Sequence, residues 1–210
     1  MPRDEPGAPP LSTTQDARSE LRQRMAERRR ALDPPARMSA AQGLRRNLET
    51  LPAFVEARRV AGYWACRGEL PLNLVLAAAA LRGQAIHLPR IAGPRQLRFA
   101  PWKLGDEVEP NRYGIPEPVL AQGLLEPAEL DLVLLPLLAF DRHGHRIGYG
   151  GGFYDASFAF LREVKRPVRP LLVGVGYAFQ ACGDIEPADW DVRLDYVATD
   201  QELIHCMEKG

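Results

Sequence analysis

Apolar residues along this chain follow two rhythms. Over residues 16–32, Leu21, Met25 and Leu32 recur along one helical stripe, with Arg18, Arg22, Arg24, Arg28, Arg29 and Arg30 around it, which predicts an amphipathic helix. Pro34 and Pro35 stop that helix, and a second is predicted over 39–51 with Ser39 as its N-cap. Beyond it, short apolar runs alternate with helical stretches. Residues 59–65 read as a buried strand, 71–82 as a helix, 85–89 as a strand, and 97–102 as an extended segment on an edge or in a hairpin. The strongest strand is DLVLLP at 131–136; a helix over 153–164, a strand over 171–177 and a short strand over 196–199 complete the series. Strands alternating with helices predict an α/β domain: a mainly parallel, twisted sheet flanked by helices on both faces, in a Rossmann-like three-layer sandwich. Residues 1–15 are rich in Pro, Gly, Ser and Thr and lack periodicity, so they read as a disordered tail, with 16–210 as one domain.

Between the strongest strand and the helix predicted after it lies AFDRHGHRIGYGGGFY, residues 139–154. The carboxyl end of a strand in a parallel sheet is where such folds bind ligands. Gly148, Gly150, Gly151 and Gly152 remove side chains, so backbone N–H groups can approach an anion closely. A helix N-terminus beyond the loop would add its dipole. Arg146 supplies a planar, permanently charged fork, and Asp155 a carboxylate suited to a magnesium ion that bridges phosphates. The loop is neither a Walker A motif nor GxGxxG, since position 153 is Phe. These rules reach an anion, most simply a phosphate, and name no substrate.

Charge and composition narrow the field. With 27 basic and 27 acidic residues the formal net charge is zero, so nothing global favours nucleic acid or an anionic membrane. No apolar run approaches the ~20 residues needed to span a bilayer, and the acidic, proline-bearing N-terminus does not read as a signal peptide, so a cytoplasmic protein is expected. Cys66, Cys182 and Cys206 form no CxxC pair and read as ordinary thiols of a reducing compartment. His143 and His145 read as solvated side chains of one turn, and Arg28 to Arg30 as a solvated helix face. Asp141 reads equally as a catalytic acid or as the cap of a turn.

The segment DLVLLPLLAFDRHGHRIGYGGGFYD at 131–155 resembles the signature of the 5-formyltetrahydrofolate cyclo-ligases, also called methenyltetrahydrofolate synthetases. The likeness extends in order through RSELR at 18–22, the strand and loop at 63–69, Leu88-Pro89-Arg90, YGIPEP at 113–118, Phe179-Gln180 and Trp190-Asp191. It thus covers about residues 16 to 200. The resemblance implies phosphorylation of the formyl oxygen of 5-formyltetrahydrofolate by ATP with Mg2+, then ring closure to 5,10-methenyltetrahydrofolate with release of ADP and phosphate.

Carried over by position, it implies that Gly148, Tyr149, Gly150, Gly151 and Gly152, followed by Phe153 and Tyr154, wrap the ATP phosphates, with Arg146, Arg18 and Arg22 neutralising them. Asp155, helped by Asp191, would hold the metal. Tyr63, Glu69, Phe153, Tyr154 and Trp190 would meet the reduced folate, polyglutamylated or not, with Glu69, Arg146 and Tyr154 closest to the chemistry. Without the resemblance Glu69 is an unremarkable exposed loop acid. Departures from the family pattern are Arg18 for Lys, Leu137 for Gly, Phe153 for Tyr, Ala156 for Arg and Trp190 for His. Two rivals stay open: a sugar-phosphate isomerase or acyl-CoA transferase on a similar sheet, and a non-catalytic folate- or nucleotide-binding homologue. A monomer or weak homodimer is expected, with no nucleic-acid or membrane partner.

Overall fold

The computed structural model describes residues 13–120 and 122–207. Residues 1–12 of the expected tail lie outside them, and Thr13 to Gln15 belong to the first helix. Helices are α1 (Thr13–Arg30), α2 (Pro34–Glu49), α3 (Pro52–Glu56), α4 (Asn73–Leu81) and α5 (Phe153–Ser157). Strands are β1 (Arg59–Ala61), β2 (Ala85–Ile91), β3 (Leu97–Pro101), β4 (Val108–Pro110), β5 (Pro116–Pro118), β6 (Leu132–Pro136), β7 (Ala139–Phe140), β8 (Arg146–Ile147), β9 (Leu171–Val175), β10 (Tyr196–Ala198) and β11 (Leu203–His205).

The apolar run at 132–136 has the composition of a strand buried on both faces, and β6 is the centre of the main sheet. Strand order is β11-β10-β9-β6-β1-β2-β3. The five inner strands are parallel, and β3 and β11 close the edges antiparallel. Leu132 and Leu134 of β6 face one cluster, built with Leu44 and Leu48 of α2, Phe54 of α3, and Val75, Leu76 and Ala79 of α4. Val133 and Leu135 face the other, with Phe158, Leu161, Val192 and Leu194. Long helices therefore cover one face, while α5, a 3-10 turn (Ala159–Leu161) and irregular chain cover the other. No helix among the described residues is long and apolar enough to cross a membrane.

Several expected boundaries move. Pro34 and Pro35 end α1 and also begin α2: Asp33 is the N-cap, accepting from the Ala36 N–H at 2.8 Å, and the prolines take the first helical positions, where a missing N–H costs nothing. Ser39 is therefore inside the helix and caps nothing. The strand expected over 59–65 ends at Ala61, and the helix expected over 153–164 is five residues long before the 3-10 turn. Two short hairpins, β4–β5 and β7–β8, were not foreseen. The second interrupts the expected direct passage from strong strand to glycine loop. Leu137 is buried against the glycines of the β9 segment. A Cβ at Gly174 or at Gly176 would lie 2.7 Å from a methyl of Leu137, so its side chain occupies space those residues leave.

Candidate functional site

From β1 the chain turns outward to β2 and β3; from β6 it turns the other way, to β9 and β10. The loops leaving the carboxyl ends of β1 and β6 therefore diverge, opening a crevice at the point where strand order reverses. A cleft of about 1160 Å³ occupies this place. One wall is the loop after β1, with Tyr63, Cys66, Arg67 and Glu69; the other is the β7–β8 hairpin and glycine loop; α1, the β4–β5 hairpin and the segment around Trp190 close the sides. Every residue expected at the site, from Arg18 to Asp191, lines this one cleft.

The β1 wall is a fixed polar structure. Glu69 is buried, 7% exposed, and its Oε2 accepts the Cys66 N–H at 2.9 Å. It is thus no exposed loop acid: Leu70 and Leu72 on either side of Pro71 are core residues and draw the loop inward. Burial raises the Glu69 carboxyl above the ordinary carboxylate range, against the opposing pull of the Cys66 hydrogen bond and the Arg29 charge. The same burial, with Glu69 nearby, pushes the Cys66 thiol up to about 11. Tyr63 donates its hydroxyl to the Leu70 carbonyl at 2.6 Å, so it offers the cleft a ring. Burial also pushes the Tyr154 hydroxyl above its usual value, with the Glu69 charge adding to the effect.

The facing wall is mostly backbone. Gly150 and Gly152 have φ of 92° and 67°, a left-handed conformation that suits glycine. Arg146, expected to face phosphate, is instead spent on the protein. It is buried, donates to Asp155 Oδ1 at 2.6 Å and to the Val192 carbonyl, and so clasps the start of α5 to the segment at 190–192. Helix α5 has one full turn, so the expected dipole contribution is small. Two cations of α1 reach this corner: Arg22 donates through Nε to the Gly148 carbonyl at 3.0 Å, and Arg18 pairs with Asp191 Oδ2 at 3.0 Å. Burial and the Arg18 charge together lower the Arg22 pKa, with Asp191 offsetting them, as in a corner that favours an anion.

Asp155 and Asp191 share that corner, since the Val192 N–H also donates to Asp155 Oδ1. Each spends one oxygen on an arginine and retains the other. Two such carboxylates suit a magnesium ion that draws its other ligands from phosphate and water. Among the described residues no group of three or more His, Cys, Asp and Glu side chains is placed to hold a metal unaided.

Other sequence readings are decided here. Asp141 is a turn cap: it accepts the N–H groups of His143, His145 and Ile185 and faces His145 Nδ1 at 2.9 Å. Burial opposes its ionisation, but those hydrogen bonds outweigh it and lower its pKa. The run 28–30 is solvated at Arg28 and Arg30, which are exposed, but not at Arg29. Arg28 lies over the Phe179 ring, and Arg29, 1% exposed, donates to the carbonyls of Leu137 and Arg67 and to the Tyr149 hydroxyl. The overlooked signal was spacing: Arg29 continues the Leu21–Met25 stripe at four-residue steps, and a charge on an apolar stripe is a buried charge. Tyr113, quoted only within a motif, meets Phe153 edge-on with ring centroids 5.8 Å apart. Trp190 is 65% exposed at the rim.

Comparison with known proteins agrees. Residues 14–200 match the 5-formyltetrahydrofolate cyclo-ligase family. The chain is 31% identical over 182 residues to 5-formyltetrahydrofolate cyclo-ligase of Escherichia coli K12, covering 84% of this chain and 97% of that one. A similar protein from Haemophilus influenzae is 29% identical over 181 residues, covering 84% and 94%. The solved 5,10-methenyltetrahydrofolate synthetase of Aquifex aeolicus superposes with a TM-score of 0.77 at 27% identity, covering 92% of this chain and 94% of that one. These matches set aside the isomerase and acyl-CoA transferase readings: the chain belongs to the 5-formyltetrahydrofolate cyclo-ligase family.

Proposed function

We propose that the cleft binds ATP against the glycine loop and a reduced folate against the β1 wall, and converts 5-formyltetrahydrofolate to 5,10-methenyltetrahydrofolate with release of ADP and phosphate. The observation that carries this reading is the pairing, across one switch-point crevice, of a glycine loop with a buried carboxyl at Glu69.

In this reading the N–H groups of residues 148–152 receive the phosphates, and Arg22, hydrogen-bonded to Gly148, brings its charge beside them. Arg146 acts at one remove, fixing Asp155 where it serves as a ligand. Magnesium, held by Asp155 and Asp191 with phosphate oxygens, would screen the charge of the transferring group. The formyl oxygen attacks the γ-phosphorus, and the bond from that phosphorus to the bridging oxygen breaks to release ADP. The neighbouring folate nitrogen then attacks the activated formyl carbon, the carbon–oxygen bond breaks with phosphate leaving, and the nitrogen gives up its proton as the five-membered ring closes. Glu69 holds the ring that carries the formyl group, with Tyr63, Phe153 and Tyr154 packing around it and Trp190 at the mouth. Catalysis here is mainly positioning and charge stabilisation.

The three free thiols fit a reducing compartment such as the cytoplasm, and the proposed enzyme is a monomer or weak homodimer acting on folates with or without a polyglutamate tail. The test is to mix purified protein with 5-formyltetrahydrofolate and MgATP and follow methenyltetrahydrofolate by its near-ultraviolet absorbance. Product that depends on both ATP and magnesium is expected. Tight folate binding without product would leave a non-catalytic binder, and binding of neither ligand would overturn the reading.

A further inference from the structure

The glycine loop poses a problem of rigidity. Four of the five residues from 148 to 152 are glycine, and a Cβ built at Gly148 or Gly150 would meet nothing within 4 Å. Such a segment loses more conformational entropy on ordering than any other, and packing of its own backbone compensates little of that loss. Its single side chain is Tyr149. Although 40% exposed, that side chain reaches inward, and its hydroxyl accepts from the Arg29 guanidinium. The ring also lies near two guanidinium groups, with the Cζ atoms of Arg29 and Arg67 each 5.3 Å from its centroid. Arg29 is itself held by the Leu137 carbonyl, at the exit of β6, and by the Arg67 carbonyl, in the loop after β1. One buried charge on α1 thus ties both walls of the cleft to the one side chain of the glycine loop.

We propose that Tyr149 is a positioning residue. Through Arg29 and Arg67 it fixes the glycine loop in the conformation that receives phosphate, so that part of the ordering cost is met before nucleotide arrives. This rests on the reading of the loop as the ATP site. Pre-ordering lowers the cost of binding, so losing it raises KM for nucleotide more than it lowers kcat.

The test compares wild type with Tyr149→Phe, which keeps the ring and removes the acceptor, and Tyr149→Ala, which removes both. Hydrogen exchange of the amides of residues 149–152 is measured without ligand, and steady-state kinetics with MgATP varied at saturating 5-formyltetrahydrofolate. Faster loop exchange is expected in both variants, more so for alanine. KM for MgATP should rise about tenfold for Tyr149→Phe, the scale of one hydrogen bond to a charged donor, with kcat within about twofold and KM for folate unchanged. Arg29→Lys, which retains charge but not the planar fork, should raise KM similarly and add little when combined with Tyr149→Phe. If wild type turns over MgATP while both Tyr149 variants keep its nucleotide KM, the anchor role is overturned. The same holds if loop exchange is unchanged in both, or if kcat and both KM values fall with stability alike. A wild type that does not use ATP would instead overturn the site reading; the exchange measurement, made without nucleotide, would still decide whether Tyr149 orders the loop.

Discussion

The two walls of the cleft are built on opposite plans. The loop after β1 is side-chain architecture: Glu69 is buried, Tyr63 is tied to Leu70, and Cys66 hydrogen-bonds Glu69 through its backbone. The loop after β8 is backbone architecture, with glycines whose missing side chains meet little and whose position is set from outside by Arg22, Arg29 and the Arg146–Asp155 clasp. A site for a shaped ring needs a wall of fixed side chains, whereas a phosphate cradle needs N–H groups that nothing shields. The second kind carries little packing of its own and must borrow rigidity from neighbours. The contrast predicts where mutations will damage stability and where they will damage ligand affinity.

The sharpest break is expected at the clasp. Arg146→Ala leaves the half-buried Asp155 carboxylate and the Val192 carbonyl without their partner, and removing one member of such a pair costs about 3 kcal/mol or more. Urea unfolding should show the loss, with turnover falling alongside; an unchanged midpoint would show that the wall does not depend on this pair. Next is Glu69→Gln, which keeps the shape of the buried side chain and removes its charge. KM for 5-formyltetrahydrofolate is expected to rise about tenfold or more with nucleotide KM nearly constant. Equal shifts in both would dissolve the distinction between the walls.

Gly150→Ala is expected to cost about 1–2 kcal/mol, because φ of 92° suits glycine alone. Gly148→Ala, where a Cβ meets nothing, should leave thermal stability within about 0.5 kcal/mol and show itself only in nucleotide affinity. Comparable stability losses at the two positions would contradict the assigned backbone geometry.

The smallest effect concerns pH. Burial raises the Glu69 carboxyl, so the folded protein holds that proton more tightly than the unfolded chain does. Its contribution to stability is fully present below the unfolded carboxylate pKa and is lost as pH rises through the raised value. Wild type should therefore lose stability relative to Glu69→Gln across that window, read from paired melting curves; parallel pH profiles would show that the carboxyl titrates normally.

Much of the fold was legible from apolar pattern. DLVLLP read as the strongest strand, and it is the middle of the sheet, buried on both faces. Pattern was weaker where the chain leaves the sheet. The hairpin β7–β8 is two residues per strand, too short to show alternation, and α5 stops after one turn because Phe158 turns into the core. Site residues were legible as a set and illegible as partners. The ordered motifs named the groups that share the cleft, but charge type alone could not tell that Arg146 would meet Asp155, or Arg18 Asp191, before either met a ligand.

By itself, then, the sequence determined what is local. Hydrophobic period chose helix or strand, glycine placement chose the cradle, and the ordered motifs carried the family likeness. Tertiary structure alone decided which charges are buried and against what. Arg29 and Glu69 sit in stretches that read as polar, and only the packing of α1 against the loop after β1 buries them both. The reason is physical: a charge's role depends on what surrounds it in space, and its neighbours here lie up to 173 residues away along the chain.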